Sequence, residues 1–366
     1  MSTAAAARRE AALELAWPIK FDGSEAGNFL GYGTANTQLW RALQRIGVRE
    51  NDRARIAVHF MFPQRYAPIP GAINVLATMF ESFDIEALLT VFAPAFARCD
   101  AIVVPSRWCA DLFRHFTEKP IFVVPLGIDA ELFPYQRRRW DPTRGEPFTW
   151  LVCGAPNRRK WTILPQLVEH LLRPFDEDGP IRLLIKTTGT DEAKAFGRML
   201  AFGHGLPRTE RHPEGTIYRQ GGITVDTRKL PRERLAAEVY ARAHAALHLH
   251  AGEGWGLISH ELLATGCPLV VTDHSGTREF CSAETAFPVR ATTRALHLER
   301  ADGLLDSEET YYGAWPDDVS AVQQIGAVMT NYHGALVRAK RGSKLAHTLT
   351  WENSARRLVA ALAPLR

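Results

Sequence analysis

The sequence predicts an α/β protein made of two parallel-sheet domains and ending in an amphipathic helix. Three observations carry that expectation. Short apolar, β-branched runs alternate with segments of helical period along most of the chain, the pattern of βαβ units. Its 366 residues are enough for two α/β domains of ordinary size. A stretch rich in Pro and charge, Pro134–Pro147, divides the alternation into two halves, as an interdomain linker does.

The elements follow in order. In the first half Arg55–Phe60, Ala72–Met79, Ala101–Val104 and Ile121–Val124 read as buried strands. Thr37–Arg45, Ile85–Arg98 and Cys109–Phe116 read as helices, and Ser106 is placed to cap the last of them. The linker carries Arg137, Arg138 and Arg139; a short charge run of this kind is expected to be a solvated connector, or else to touch an anionic partner. In the second half Phe148–Cys153, Ile181–Lys186, Ala245–Leu249 and Pro268–Thr272 read as strands. Helices are expected at Ile163–Leu172, Arg232–His244, Leu257–Thr265 and Asp317–Tyr332, and Leu349–Leu362 is a capped amphipathic helix. The resulting division is residues 1–140, 141–345 and 346–366.

Composition narrows the function. Apolar residues make up 46% and charged residues 23%, which supports a full core and excludes disordered and collagen-like classes. A net charge of +4 is too small to imply nucleic acid or an anionic membrane as partner. The 5 cysteines are odd in number and form no C-x-x-C pair, so reduced thiols are expected rather than a zinc site or disulfide framework. Met1–Glu14 lacks the apolar core of a signal peptide, and no apolar run reaches the roughly 18 residues of a membrane span. The expectation is a cytoplasmic protein.

The chemistry concentrates in Glu253-Gly-Trp-Gly-Leu-Ile-Ser-His-Glu261. A strand ends near His250, a glycine-bearing turn follows and a helix begins near Leu257. Such a junction presents backbone N–H groups and a positive dipole end to a phosphate. Gly254 and Gly256 allow close backbone approach. Glu253 in the turn and Glu261 in the helix can flank one ligand, and carboxylates accept hydrogen bonds from sugar hydroxyls. Phosphate beside amides and hydroxyls beside carboxylates describe a nucleotide sugar. The same residues would also make a tight turn with a surface Glu and a capping Glu, and spacing alone does not separate the two.

This stretch resembles the E-x7-E signature of retaining glycosyltransferases of family 4, which have the GT-B fold. Both glutamates, Gly254, Trp255, Gly256, Leu257, Gly266 and Pro268 match; Leu262 stands where the family usually has Ala. The resemblance implies two Rossmann-like domains facing a cleft, with the C-terminal helix crossing back to the first. It also implies that Glu253 contacts donor-sugar hydroxyls and Glu261 the ribose. The backbone at Gly254–Leu257 would hold sugar or phosphate, and Ser275, Gly276 and Thr277 would lie near the diphosphate. Val104-Pro-Ser106 and Val123–Asp129 with Phe133 match further family segments. Gly154–Lys160 resembles the stretch that supplies diphosphate cations: Lys160 fits the family lysine, while Ala155 replaces its arginine, so Arg158 or Arg159 takes that charge. In the first domain Gly33 and Thr34, in a loop ahead of the Thr37 helix, are expected near the β-phosphate and acceptor, and Glu81 or, less so, His59 faces the sugar.

The expected activity is transfer of a hexose from a nucleoside diphosphate sugar, a UDP-sugar such as UDP-glucose first and a GDP-sugar next, to an acceptor hydroxyl. No cofactor and no essential metal are implied, because Lys160, an arginine and helix N-termini stabilise the leaving diphosphate. His244, His248 and His250 lie across a helix end and a strand, with nothing to complete a tetrahedral metal site. The acceptor stays open among glycan, lipid carrier, small molecule and nucleic acid. Arg208 and Arg211 leave room for the last, but no aromatic interleaving marks a strand-binding groove. The alternatives are a catalytically weak nucleotide-sugar-binding module and a GT-B enzyme acting on a modified base.

Overall fold

The computed structural model describes residues 13–19, 30–154, 167, 179–187, 208–298 and 309–365. The first half builds a sheet of four parallel strands in spatial order β3-β4-β5-β6: β3 (Ile56–Phe60), β4 (Ile73–Ala77), β5 (Ala101–Val104) and β6 (Ile121–Val123). A short parallel pair, β1 (Glu14–Leu15) and β2 (Arg49–Glu50), joins it through a bridge from Ala16 to Ala57. Around this sheet run α1 (Leu30–Arg45), α2 (Ile85–Ala87), α3 (Ala93–Arg98) and α4 (Arg107–Phe113). Residues of β3 and β5 are buried throughout, which is why β5 is an unbroken apolar run and β3 is apolar except for His59.

The second half builds a sheet of eight strands in spatial order β14-β13-β12-β7-β8-β11-β10-β9. They are β7 (Phe148–Cys153), β8 (Ile181–Lys186), β9 (Arg208–His212), β10 (Gly215–Gln220), β11 (Ile223–Asp226), β12 (Ala245–His248), β13 (Leu269–Thr272) and β14 (Phe287–Val289). The run from β14 to β11 is parallel; β10 and β9 complete it antiparallel. Helices α5 (Arg232–Glu238) and α6 (Leu257–Ala264) lead into β12 and β13. A separate antiparallel hairpin, β15 (Ala291–Leu298) and β16 (Glu309–Pro316), is followed by α7 (Asp318–Thr330), α8 (Tyr332–Ala346) and α9 (Trp351–Leu362). The last helix packs on α1 in the first domain, with Leu358 and Leu362 in the same buried cluster as Leu39 and Leu43.

The chain crosses between the domains twice, and the two crossings touch. Ile128 bridges Thr350, its amide donating to the Leu349 carbonyl at 2.9 Å. Gly127 lies so close that a Cβ there would meet the Trp351 nitrogen at 2.1 Å, so only glycine fits. Thr350 caps α9 through its side-chain oxygen, which accepts from the Asn353 amide.

Several sequence expectations change. The linker is not a solvated connector throughout: Arg138 is buried, donating to the carbonyls of Ala243, Tyr240 and Thr265 and to the Thr265 hydroxyl, while Arg137 and Arg139 are exposed. A charge run reads as exposed only because the sequence hides the carbonyls that a buried guanidinium can satisfy. Helix α1 begins at Leu30, so Gly31 and Gly33 lie inside its first turn and not in a loop before Thr37. The Ile85–Arg98 segment is helical but passes through a π turn at Leu88–Phe92, which ends two residues before Pro94, whose missing N–H breaks the regular ladder. The β9–β10 and β15–β16 hairpins and α8 were not expected. Strand β9, Arg-Thr-Glu-Arg-His, is polar and mostly exposed, so it carries no apolar period to read. Apart from Leu167, the helix expected at Ile163–Leu172 lies outside the described residues.

Candidate functional site

The site grows out of the turn between β12 and α6. Gly256 caps α6 with a left-handed backbone, φ 93°, and a Cβ there would fall 2.7 Å from the Thr277 methyl. Glu253 is 9% exposed, and its carboxylate lies beside His248, Nε2 to Oε1 3.3 Å. Its backbone is held from the β13 side. The Glu253 amide donates to Ser275 Oγ at 2.9 Å, and its carbonyl accepts the Gly276 amide at 2.8 Å. Ser275 adopts φ 59°, an uncommon conformation for a residue with a side chain and one held by these contacts.

Glu261 lies eight residues on, in α6, and is buried. Both of its oxygens are engaged: Arg232 Nη2 stands 2.6 Å from Oε1, and the Tyr240 hydroxyl donates to Oε2 at 2.9 Å. Burial pushes the Glu261 carboxyl above its ordinary range, opposed by the Arg232 charge and by the Tyr240 hydrogen bond. The E-x7-E spacing therefore places one buried carboxylate in the turn and one in the middle of the helix that follows, each with its own cationic or hydrogen-bonding partner.

The first domain meets this turn directly. Ser106 Oγ caps α4 by accepting from Cys109 N, and donates to the Gly254 carbonyl at 2.8 Å. Met79 lies over Gly254, where an added Cβ would come within 2.8 Å of the Met79 Cβ. Tyr32, in the first turn of α1, accepts the Met79 amide at 2.9 Å. Glu81, two residues beyond Met79, is thus in the loop that faces the Glu253 turn, and is half-buried. The hairpin ties the two sides together: the Tyr312 carbonyl accepts from Ser82 Oγ and the Phe83 amide, both at 2.8 Å, and the Ala314 amide donates to the Ala251 carbonyl at 2.7 Å.

Known proteins resemble this chain in sequence over part of its second half and in fold over most of its length. Residues 197–358 match the family model described as family 4 glycosyltransferase in conflict systems. The fold is GT-B, and residues 197–358 carry the family 4 glycosyltransferase match. Among solved structures it is similar to the sucrose-phosphate synthase of Thermosynechococcus elongatus, at 15% identity and TM-score 0.58 over 91% of this chain and 78% of that one. It is similar to Anabaena HepE in complex with UDP and glucose, at 9% identity and TM-score 0.58 over 89% of this chain and 81% of that one. The pneumococcal O-GlcNAc transferase GtfA, in complex with UDP and GlcNAc, aligns at 13% identity and TM-score 0.52 over 91% of this chain and 60% of that one. At such identities the likeness is one of fold. No curated protein sequence matches the chain.

Other expected site residues fall as follows. Gly33 and Thr34 are the fourth and fifth residues of α1, so their amides fall within the helical hydrogen-bond ladder and not in a loop open to an anion. Trp255 is buried beneath the turn, its ring against Phe280 and His260, so its side chain braces the turn from the core. Leu257 opens α6 half-buried. Thr277 is buried, its hydroxyl 3.2 Å from His250 Nε2. Gly276 holds Glu253 with its amide, a positioning task that the sequence did not reveal. Arg158, Arg159 and Lys160 lie outside the described residues. Lys186, at the end of β8, does not take their place: it is buried, with its ammonium on the carbonyls of Thr187, Asp226 and Arg228, and burial lowers its pKa. Sequence reading also missed His248, Arg232 and Tyr240. For His248, its position five residues before Glu253 was the available signal.

The histidine run does not converge. His244 Nδ1 accepts the Thr149 amide at 2.9 Å, and among the described residues no group of three His, Cys, Asp or Glu is placed to hold a metal ion. No helix among the described residues is long and apolar enough to cross a membrane.

His260 gives the site an acid sensitivity. It accepts the Trp255 indole N–H on Nδ1 at 3.3 Å and donates from Nε2 to the Ala346 carbonyl at 3.2 Å, so it is neutral. Burial pushes its pKa down to about 3. Between the unfolded value of about 6.5 and that folded value, the unfolded chain binds the extra proton. Stability is therefore complete above pH 6.5 and falls as pH drops, by about 1.4 kcal/mol per pH unit for this one group. His274, pushed to about 4 mainly by burial, adds to the slope over part of the window. Melting curves from pH 7 to pH 5 should show His260→Gln losing stability less steeply than the wild type; parallel slopes would refute the assignment.

Proposed function

We propose that the protein is a retaining hexosyltransferase that takes its sugar from a nucleoside diphosphate sugar, a UDP-sugar in first place and a GDP-sugar next. The observation that carries this reading is the pair of buried carboxylates, Glu253 in the turn and Glu261 in the helix that follows it. Glu253 orients the sugar through its hydroxyls, and Glu261 takes the ribose. Lys160, with Arg158 or Arg159, neutralises the departing diphosphate, and Gly33, Thr34 and Glu81 lie on the acceptor side. Two solved structures of similar fold hold UDP, one with glucose and one with GlcNAc, which supports a UDP-sugar as donor.

In the proposed reaction the bond from the anomeric carbon to the diphosphate oxygen breaks. The acceptor oxygen bonds to that carbon on the same face, and the acceptor proton passes to the departing diphosphate oxygen. The protein's contribution is electrostatic and positional. Contact of the Glu253 turn with Met79 and Ser106 excludes water, which would otherwise compete with the acceptor.

The test is a thermal-shift screen of UDP-, GDP- and ADP-sugars. A ligand at about a hundredfold its Kd stabilises the folded state by about 2.7 kcal/mol, a shift of several degrees. A UDP-sugar should raise Tm most. Lys160→Ala should lose that rise and Arg137→Ala should keep it, since Arg137 is exposed in the linker. The anomeric configuration of the product, read by NMR, should match the donor. No shift with any nucleotide sugar would overturn the reading.

A further inference from the structure

The two carboxylates of the turn and helix are held in different ways. Glu261 is paired with a guanidinium, so Arg232 neutralises its charge. Glu253 faces an imidazole instead, His248 Nε2 standing 3.3 Å from Oε1. His248 ends β12 and is 2% exposed. Strand alternation puts it on the same face as Ala246, which packs in one cluster with Leu262 and Leu263 of α6. The other ring nitrogen, Nδ1, is hydrogen-bonded to the hydroxyl of Ser259, a fully buried residue of α6. A chain Ser259–His248–Glu253 thus runs from the helix to the turn, and no step of the proposed reaction yet uses it.

Hydrogen-bond chemistry gives this chain a direction. A carboxylate only accepts, so the ring must present a proton on Nε2. A neutral imidazole then has a lone pair on Nδ1, which the Ser259 hydroxyl fills by donating. The 3.3 Å contact is long for a hydrogen bond, of the kind that tightens once substrate is in place. In this arrangement the ring orients the Glu253 carboxylate without cancelling its charge, as a guanidinium there would. The uncancelled charge strengthens hydrogen bonds from sugar hydroxyls and favours the positive charge that grows on the sugar as the diphosphate departs. We propose that His248, locked in one tautomer by Ser259, is a positioning residue for the reaction: it keeps Glu253 both oriented and fully negative. This rests on the nucleotide-sugar reading above, where Glu253 acts through the sugar.

The experiment joins nitrogen NMR of protein with isotope-labelled histidine to rates of UDP-glucose and GDP-glucose hydrolysis, water standing in for the acceptor. Near neutral pH the imidazole whose signals vanish in His248→Gln should be protonated on Nε2 and unprotonated on Nδ1. His248→Phe fills the ring's space but donates nothing. It should lower kcat about ten- to a hundredfold, the worth of a hydrogen bond to a charged group, and leave free UDP affinity unchanged. His248→Gln carries an amide N–H toward Glu253 and should recover most of that loss. Ser259→Ala should cost about two- to tenfold in kcat, again without loss of UDP affinity. If His248→Phe fails to fold, the NMR signature and Ser259→Ala decide. Wild-type kcat in these variants, or a loss of UDP affinity as large as the loss of turnover, would make His248 a filler of the strand end; the proposal falls and the nucleotide-sugar reading stands. A ring protonated on Nδ1 overturns it as well. A wild type that neither binds UDP nor hydrolyses either donor overturns both.

Discussion

Gly276→Ala should cost the enzyme about a hundredfold in turnover, with a loss of stability of about 1–3 kcal/mol. A Cβ at this position would lie 2.2 Å from the Gly254 carbonyl oxygen, 2.5 Å from its carbon and 2.7 Å from the Trp255 nitrogen. All three are backbone atoms, so no side chain can swing away. Relief requires the two turns to part by about 1 Å, and catalytic geometry displaced by that much loses about two orders of magnitude. The same shift would stretch the bond from the Gly276 amide to the Glu253 carbonyl, which holds the first carboxylate in place. Gly31→Ala is the control. A Cβ there meets nothing within 4 Å, and in the α1 helix the exchange should raise stability by about 0.5–1 kcal/mol. Turnover of Gly276→Ala near the wild-type rate would mean that the contact of these two turns does not position the reacting groups.

The two glutamates should fail in different ways. Glu261→Gln keeps a partner for the Tyr240 hydroxyl but removes the charge opposite Arg232, and should weaken free UDP and the full donor alike by about ten- to a hundredfold. Glu253→Ala should leave free UDP affinity unchanged and lower kcat by a similar factor. Each loss corresponds to a hydrogen bond to a charged group, about 1.5–3 kcal/mol, which calorimetry and initial rates resolve. Glu261→Ala is the harsher change, because it strands Arg232 in a buried place; breaking such a pair costs about 3–5 kcal/mol and should lower Tm as well. If Glu253→Ala weakens free UDP as much as Glu261→Gln does, the division between sugar and ribose is wrong. If neither variant alters binding or turnover, these carboxylates only shape the turn.

How much of this was readable from the residues alone follows from the range of the forces involved. Strands β5, β7 and β8 run Ala101–Val104, Phe148–Cys153 and Ile181–Lys186, as expected, because a strand buried on both faces is dominated by apolar residues. The Ser106 cap and the turn from Glu253 into α6 are equally local: they depend on glycine conformation and side-chain reach over a few residues. Polar strands gave no such signal. In β9 stability comes from backbone pairing with β10, which any sequence can make, so Arg208–His212 looks like loop until its partner is known.

The partners of the two carboxylates could be assigned only once the chain had folded. Glu261 and Arg232 are 29 residues apart in sequence and 2.6 Å apart in space, brought together because α5 and α6 flank the same strand, β12. Arg138 reads as one of three exposed arginines, yet it is buried on the carbonyls of Tyr240, Ala243 and Thr265, more than 100 residues away. Local pattern decides whether a segment is strand, helix or turn, since those choices turn on neighbouring dihedrals and apolar period. Which buried charge meets which acceptor is decided by packing between distant segments, where the cost of an unpaired polar group selects the partner and nothing in the local sequence records it.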